Sequence, residues 1–462
     1  MSSRGTKSAV AAAVALACLA SAPALGGVSH AGSSSGRTPQ WVARYNGPTG
    51  GRDEASSVTL DPTSHRVYVT GYTIGPDGHS DCLTLGYRDD GTVLWSRSFN
   101  GPNHDDDDAA AITVDSSNHH VYVGGSTSTG TGGPFDFATI AYSAAGLPLW
   151  TRTYGSANDG NDRILAMAVD PGNHHVYVTG WIHSDTSEFL TIAYSASGRK
   201  LWMRKGGSRA QVPWAITVDR RNHHVYVTGG GVLATGENAF KTIAYSATGT
   251  RLWSHSFARH GDVTDVAFSV AVDSSNHQVY VTGMAGREYF NNDYATVAYS
   301  RSGKRLWARL YDGPAKGDDG AEFIAVDSII HHVYVTGQSA GSGSPDVATV
   351  AYSRMGSRLW VARYDGPAHG WDRGNAVAVD SRSHNVYVTG PSYAGAQYQY
   401  NDYATVAYNR TGNRLWSARY DGPTAGDDVA AAIALDMSKG RVYVTGRSQG
   451  QGDDIDFATV AY

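Results

Sequence analysis

A tryptophan recurs eight times at nearly constant spacing, and this periodicity constrains the fold more than any other feature. Successive copies lie 51–56 residues apart, and seven of them end the sequence Gly-x-x-Leu-Trp. A period of this length is typical of propeller blades and exceeds those of ankyrin and helical repeats. The chain of 462 residues is therefore predicted to form one array of similar units. The eight are Trp41, Trp95, Trp150, Trp202, Trp253, Trp307, Trp360 and Trp416.

Each copy is predicted to contain four β-strands. In the last copy they cover residues 416–420, 430–436, 441–446 and 456–462, which are short, rich in β-formers and bounded by turn residues. Val-Tyr-Val-Thr-Gly and Ala-Thr-Val-Ala-Tyr are apolar on both faces, as a sheet covered on both sides requires. The sequence predicts an all-β fold, an eight-bladed β-propeller of four-stranded antiparallel blades.

An aspartate ends the second segment of every copy. A catalytic interpretation would be a ring of acids, whereas a structural interpretation is a hairpin residue whose carboxylate accepts backbone N–H groups of the following turn. Eight equivalent positions favour the structural interpretation. These residues are Asp61, Asp115, Asp170, Asp219, Asp273, Asp327, Asp380 and Asp436.

Segments ending in Ala-Val-Asp, then Val-Tyr-Val-Thr-Gly, then Asp-Tyr-Ala-Thr-Val-Ala-Tyr resemble the SBBP family of bacterial β-propeller repeats. The segment 244–253 is also similar to the tryptophan-docking motif of quinoprotein-type propellers. The resemblance covers residues 41–462 and implies that the Asp-ending strand is innermost and the Leu-Trp strand outermost. Residues 41–45 would then supply the outer strand of blade eight and close the ring, which hides an unpaired sheet edge.

The N-terminus has the pattern of a secretory signal peptide. Arg4 and Lys7 precede an apolar stretch over residues 9–20, and small residues follow. We expect a signal peptide over residues 1–31, a flexible Ser/Gly-rich leader over 32–40, and one propeller domain over 41–462. Cleavage after Ala24 and cleavage after Ala31 both fit, and a lipoprotein anchored at Cys18 is a less favoured alternative. The mature protein is expected to be secreted and monomeric.

Composition excludes several functional classes. A net charge of −5 provides no basic stripe for nucleic acid, and no apolar run after residue 27 is long enough to cross a bilayer. Once the signal is removed, Cys82 is the one remaining cysteine, so the domain has no internal disulfide. A buried thiol is expected there, because other copies place Phe or Tyr at this position.

Strand order predicts two faces of opposite charge. The top face carries the loops from outer strand to next innermost strand and from second to third strand, and these loops are rich in Asp. The bottom face carries the other turns, with Arg, Lys and His-His pairs such as His119-His120. The top loops vary most, so we place function there. Calcium binding by the Asp-rich loops stays open, and metal binding by the His-His pairs is disfavoured because adjacent strand residues point to opposite faces.

Departures from the repeat indicate the candidate ligand site. Copy four replaces its acidic loop with Lys205-Gly206-Gly207-Ser208-Arg209 and places Trp214 on its innermost strand, where copies two and eight have alanine. Trp181 and Trp371 also lie outside the repeated series, in or beside top loops. Aromatic and basic groups around a channel mouth suit a sugar or an anionic ligand. The alternative is that Trp214 plugs the channel.

Three functions are compatible with these features. The favoured one is an exported scaffold that binds a protein, a glycan or a cell-wall polymer on the acidic top face, without a cofactor. The alternative is a secreted hydrolase or lyase with its site at the channel mouth. No nucleophile elbow, HExxH pair or isolated acid pair supports an enzyme. A quinone-dependent dehydrogenase is least favoured, because no vicinal cysteine pair is present.

Overall fold

The computed structural model describes residues 36–130, 132–156, 160–183, 188–207, 210–259, 265–288, 291–395, 400–452 and 454–462. The predicted signal peptide over residues 1–31 lies outside these ranges. The described residues form 32 β-strands. No helix within them is long and apolar enough to span a bilayer.

The strands fall into four groups according to their place in the repeat. The innermost strands are β2 (Glu54–Asp61), β6 (Asp107–Asp115), β10 (Arg163–Asp170), β14 (Ala210–Asp219), β18 (Asp265–Asp273), β22 (Asp319–Asp327), β26 (Ala376–Asp380) and β30 (Val429–Asp436). The second strands are β3 (Arg66–Ile74), β7 (His120–Ser128), β11 (His175–Ile182), β15 (His224–Val232), β19 (Gln278–Glu288), β23 (His332–Ser339), β27 (Asn385–Tyr393) and β31 (Arg441–Gln449).

The remaining two groups complete each blade. The third strands are β4 (Ser80–Tyr87), β8 (Phe135–Tyr142), β12 (Glu188–Tyr194), β16 (Asn238–Tyr245), β20 (Asn291–Tyr299), β24 (Asp346–Tyr352), β28 (Asn401–Tyr408) and β32 (Ile455–Ala461). The outer strands are β5 (Val93–Phe99), β9 (Pro148–Tyr154), β13 (Lys200–Lys205), β17 (Arg251–Phe257), β21 (Arg305–Tyr311), β25 (Arg358–Tyr364), β29 (Arg414–Tyr420) and β1 (Trp41–Tyr45).

These strands form eight antiparallel blades, which confirms the predicted eight-bladed propeller. Blade one is β2–β5, and the following six blades repeat this order. Blade eight consists of β30, β31, β32 and β1, with Trp41 opposite Ala461 and Tyr45 opposite Phe457. The first strand of the chain therefore closes the ring, as predicted. One backbone bridge, between Gly230 and Val266, additionally joins blades four and five.

The hydrophobic core lies between the blades, and the repeated tryptophans connect each blade to the next. Trp253 of blade four packs between Tyr226 of its own blade and Tyr299 of blade five, with ring centroids 5.8 and 5.6 Å apart. Its indole N–H donates to the carbonyl of Arg301 in blade five, at 3.0 Å. A Cβ on Gly303 would lie 2.7 Å from the Trp253 ring, so only glycine fits at this contact.

The last docking tryptophan has one additional neighbour. Trp416 of blade seven packs on Tyr462, with ring centroids 5.7 Å apart. The guanidinium of Arg37 lies 5.2 Å from the centroid of the Trp416 ring, a cation–π contact. Gln40 donates its backbone N–H to the carbonyl of Ala461. Residues just before β1 thus contact the junction between blades seven and eight.

Candidate functional site

The central channel is surrounded by the innermost strands, because each of them packs against the innermost strands of both neighbouring blades. In most blades this strand contains a β-bulge, where one residue is left out of the pairing register. Bulges redirect side chains and are common beside functional sites. The equivalent positions of the eight blades are Ser56, Ala110, Leu165, Trp214, Phe268, Glu322, Asn375 and Ala431.

Large aromatic side chains lie at or directly after this position on three consecutive blades. Trp214, at the bulge between Pro213 and Ala215, is 42% exposed and meets Phe268 of blade five edge to face, with ring centroids 5.8 Å apart. Phe323 of blade six, next to its bulge, is 37% exposed. We call Trp214, Phe268 and Phe323 the aromatic arc. The opposite side, at blades one, two and eight, presents Ser56, Ala110 and Ala431.

Polar groups border the aromatic arc on blades six and seven. Glu322 at the bulge of blade six forms a 2.6 Å ion pair with Arg373 of blade seven. Burial raises the pKa of Glu322, and the hydrogen bond and charge of Arg373 oppose this shift. Asn375 of blade seven donates to the carbonyl of Ala430 in blade eight at 2.9 Å. The channel wall therefore changes from aromatic to hydrogen-bonding around the ring.

The other predicted site residues are spread around the top face. Trp181 is half-buried on β11 of blade three, opposite Arg163. Trp371 of blade seven is 37% exposed, and its indole N–H donates to Gln338 of blade six at 3.2 Å. Arg209 lies outside the described residues. Blade seven is opposite blade three in an eight-membered ring, so the structure does not bring Trp371 beside Trp214 and Trp181.

Sequence reasoning missed Phe268 and Phe323. A signal was available, because alignment of the copies on the aspartate that ends the innermost strand places Phe268 and Glu322 at the position of Trp214. The signal was weak because a single Phe on a strand is ordinary for a hydrophobic core.

A second aspartate lies at or shortly before the start of the innermost strand in seven blades and is fully buried or nearly so. Each accepts the backbone N–H of the residue six positions before it, as Asp319 does from Gly313 at 2.6 Å. We call this set the top acids. Blade four has the exposed Gln211 at this position. The top acids are Asp53, Asp107, Asp162, Asp265, Asp319, Asp372 and Asp428.

Burial raises the pKa of several top acids. The pKa of Asp53 is raised to about 6 and that of Asp428 to about 7, in each case mainly by desolvation and despite hydrogen bonds that favour the carboxylate. Asp428 lies with Asp402 and Asp421 in a cluster whose oxygens are within 4.8 Å of one another. Because Asp53 and Asp428 are inaccessible to solvent, they cannot contact a substrate, and we assign them to the packing of the loops.

The aspartates at the other end of the innermost strands are called the bottom acids, and the structure confirms the structural interpretation of them. In all eight, one carboxylate oxygen accepts the backbone N–H two residues later, at 2.9–3.0 Å. These residues are Asp61, Asp115, Asp170, Asp219, Asp273, Asp327, Asp380 and Asp436.

The bottom acids also connect neighbouring blades, which the sequence analysis did not predict. In seven copies a histidine with positive φ donates from Nδ1 to the bottom acid of the preceding blade, as His119 does to Asp61 at 2.7 Å. Blade eight has Gly440 at this position, with φ +63°. The seven are His65, His119, His174, His223, His277, His331 and His384.

This geometry explains the His-His pairs on the bottom face. The first histidine of a pair is held by an aspartate, and the second begins a strand and points elsewhere, as His119 and His120 show. Burial raises the pKa of Asp61, but hydrogen bonds from Thr63, Ser64 and His119 outweigh this effect and lower it to about 2. Hydrogen bonds likewise lower the pKa of Asp115 and Asp436, in contrast to Asp53 and Asp428 of the top acids.

The basic residues assigned to the bottom turns are exposed. Arg199, Lys200, Arg220, Arg221, Arg251, Lys304, Arg305, Arg358 and Arg414 are all exposed. Cys82 is buried on β4, and burial raises the pKa of its thiol well above the ordinary value. It is therefore an unreactive core residue.

The fold and its docking tryptophans define the class of protein, a closed eight-bladed propeller of quinoprotein-like design. Residues 83–344, more than half of the chain, match the model of a family described as outer membrane protein assembly factor BamB. The chain belongs to this family. No curated protein matches it.

Solved structures show the same fold in distant proteins. The chain is similar to Sqt1 from Chaetomium thermophilum, with a TM-score of 0.58 and 11% identity, over 90% of this chain and 96% of that one. It is also similar to Sqt1 of the same organism bound to the N-terminus of the ribosomal protein L10, with a TM-score of 0.56 and 11% identity, over 90% and 98% of the two chains. At this identity the similarity concerns the fold alone.

Proposed function

We propose that this chain is an exported scaffold that binds an extended polypeptide segment of a partner protein through its top face and channel. We further propose that its repeats are of the SBBP type. The observation that supports the binding role most strongly is the aromatic arc. Three large aromatic residues line one side of the channel, and two of them are more than a third exposed.

Exposed aromatic side chains on rigid strands are typical of binding surfaces. Trp and Phe bury large apolar areas at a low cost in conformational entropy. The innermost strands are held by both neighbouring blades, so the arc is preorganised and binding orders few additional groups. Glu322, Arg373 and Asn375 beside the arc supply polar partners that can fix the orientation of a backbone.

The related proteins favour a polypeptide over the other ligand classes. The family description names an outer membrane protein assembly factor, and the structure of one similar propeller contains the bound N-terminus of another protein. A carbohydrate remains the second ligand class that the exposed aromatic rings suit. Export is proposed from the N-terminal pattern of Arg4, Lys7 and the apolar stretch that follows.

The experiment uses a peptide library displayed on phage and panned on the full mature chain. Enriched peptides are titrated against the wild-type chain and against the Trp214→Ala and Arg251→Ala variants by intrinsic fluorescence. We expect Trp214→Ala to weaken binding at least tenfold, because a hot-spot aromatic residue contributes about 2 kcal/mol or more. Arg251→Ala on the bottom face should change affinity less than twofold.

Two results would overturn the proposal. Selected peptides that bind Trp214→Ala as well as the wild-type chain would exclude the aromatic arc as their site. Loss of binding in Arg251→Ala alone would place the site on the bottom face. A parallel panel of neutral oligosaccharides tests the other ligand class, and binding of these in place of peptides would replace the polypeptide with a glycan.

A further inference from the structure

A groove on the bottom face between blades four and five forms a cavity of about 620 Å³. Its walls include His224, Leu252 and Trp253 of blade four and Gln278, Arg301 and Leu306 of blade five. This volume lies within the range of about 300–1,000 Å³ that is usual for small-ligand pockets. The groove is remote from the aromatic arc, which lies in the central channel.

At two other junctions of the ring the equivalent groove is filled by the protein itself. Between blades one and two, Arg66 at the start of the second strand donates from its guanidinium to the carbonyl of Ala144 at 2.9 Å. Between blades eight and one, Arg441 does the same to the carbonyl of Asp89 at 2.9 Å. These turn carbonyls also accept the docking tryptophan. The groove is therefore a place where an additional hydrogen-bonding group can sit.

The arginine is absent from the other six blades, including blade four. His224 takes the position of Arg66, and its buried Nδ1 has no hydrogen-bond partner among the described residues. Burial lowers the pKa of His224, and the nearby charges of Arg301, His277 and His223 lower it further, against the opposing charge of Asp219. The imidazole is thus neutral at pH 7 and can accept or donate a hydrogen bond inside the groove.

Arg301 makes this groove cationic. The corresponding turns of blades two, three and four have Ala144, Ala196 and Ala247, whereas those of blades six and seven have Arg354 and Arg410. Arg301 is exposed and lines the groove, and its guanidinium forms no ion pair within the described part of the chain. A guanidinium that lines a cavity and has no internal partner favours a carboxylate from a ligand, because paired N–H groups match the two carboxylate oxygens.

The other walls suit a small ring that is apolar on its faces and polar at its edge. Leu252 and Leu306 are 42% and 40% exposed on the two sides of the groove. The hydroxyls of Ser300 and Ser302 lie 3.0 Å apart in the turn that carries Arg301, and Gln278 adds an amide. A sugar ring presents C–H groups on its faces and hydroxyls around its edge, so it can use both kinds of contact.

We propose that the groove between blades four and five binds a carboxylated sugar residue of the hexuronate class. The carboxylate pairs with Arg301, the hydroxyls bond His224, Ser300 and Gln278, and the ring lies between Leu252 and Leu306. This site extends beyond the proposed function, because it is on the other face and does not use the aromatic arc. A chain with both sites would hold a protein segment above and an acidic polysaccharide below.

The test titrates digalacturonate and its neutral counterpart galactobiose into the full mature chain by isothermal calorimetry. We expect digalacturonate to bind at least tenfold more tightly, and Arg301→Ala to remove that preference. His224→Arg should abolish binding, because it recreates the internal arginine that fills the groove between blades one and two. Its melting temperature shows whether the variant folds, and Arg301→Ala remains decisive if it does not.

Matched controls separate this site from general charge and from the aromatic arc. Arg354→Ala alters the next groove, where Ile330 and Met355 replace Asn276 and Ser302, and it should change affinity less than twofold. Trp214→Ala should also leave digalacturonate binding unchanged. Equal affinities for the two disaccharides, or undiminished binding by Arg301→Ala, would overturn the proposal. So would tighter binding of a capped triglutamate peptide than of digalacturonate, since the groove would then be a peptide site.

Discussion

The two ends of each innermost strand carry an aspartate, yet the two aspartates are in opposite electrostatic situations. Asp61 at the bottom of β2 accepts hydrogen bonds from Thr63, Ser64 and His119, and its pKa is lowered to about 2. Asp53, just before the top end, is equally inaccessible, but desolvation raises its pKa to about 6. Eight residues along one strand therefore separate a stabilised carboxylate from a destabilised one.

The difference shows that burial alone does not determine the pKa of an aspartate. The deciding factor is the number and kind of donors that face it. The bottom acids receive donors from their own turn and from the next blade, and so they join the ring together. Top acids such as Asp53 and Asp319 accept backbone N–H groups from two loops. Burial nevertheless raises the pKa of both, so they organise these loops at a cost that depends on pH.

Removal of a bottom acid should have the largest effect. In Asp61→Ala the turn loses its acceptor and His119 loses its partner across the junction between blades one and two. A hydrogen bond to a charged group contributes about 1.5–3 kcal/mol, so the loss of several of them should cost about 3–5 kcal/mol. Urea unfolding at pH 7 measures the free energy of unfolding. Thr49→Ala, which removes an exposed hydroxyl that donates to Ile74 on the top side of blade one, is the control. Equal stability of the two variants would contradict the linking role of Asp61.

Removal of a top acid should have a smaller effect of the opposite sign. Because the pKa of Asp428 is about 7 in the fold and close to 4 when unfolded, the unfolded state ionises first as pH rises. Stability is thus lost between about pH 4 and 7, by roughly 1 kcal/mol per pH unit for this group. Asp428→Asn should remove this loss and stabilise the protein by about 1–3 kcal/mol at pH 8.

Urea unfolding at pH 5 and pH 8 tests this prediction for Asp428→Asn against the wild-type chain. The difference in stability between the two pH values should shrink in the variant. Asp436→Asn is the matched control from the bottom end of the same strand, where hydrogen bonds from Ser438 and His65 outweigh burial and lower the pKa. A variant Asp428→Asn that is less stable than the wild-type chain at pH 8 would show that its carboxylate is favourable.

Completion of the bottom ring should have the smallest effect. Gly440 occupies the position of the seven linking histidines, has φ +63°, and a Cβ there would meet no atom within 4 Å. Gly440→His should reach Asp380, the one bottom acid without such a histidine among the described residues. We expect a gain of about 0.5–1 kcal/mol, reduced by the cost of a side chain at positive φ. Gly440→Ala is the control, because it carries the cost of a side chain at positive φ without the hydrogen bond to Asp380. Equal melting temperatures of the two variants would show that the bond does not form.

The fold could be predicted almost completely from the sequence, because the same strand and turn motifs occur in all eight copies. The spacing of the tryptophans gave the number of blades, and the phase of the repeat gave the closure by β1. The hairpin role of the bottom acids followed from eight equivalent positions. The histidine link did not, since a bond between His119 and Asp61 joins residues 58 positions apart and depends on a left-handed backbone at the histidine.

The candidate site could be predicted only in part. Trp214 was found because it departs from the repeat, but Phe268 and Phe323 look like ordinary core residues until the bulge places them at the channel. Likewise, the Asp-rich top loops indicated an acidic surface, whereas the structure buries one aspartate of each of seven blades. The groove beside Arg301 exists because His224 is too short to fill the space that an arginine fills in blades one and eight. No local sequence pattern reveals this space.

The central claim is that repeated residues hold the ring and that the aromatic arc binds the partner. The most direct test measures stability and binding together for Trp214→Ala, with the peptides selected on the wild-type chain. Because Trp214 is only partly buried, we predict a melting temperature close to that of the wild-type chain and a loss of affinity of at least tenfold. A strongly destabilised Trp214→Ala protein that still binds these peptides normally would contradict the claim and make Trp214 a packing residue of the channel.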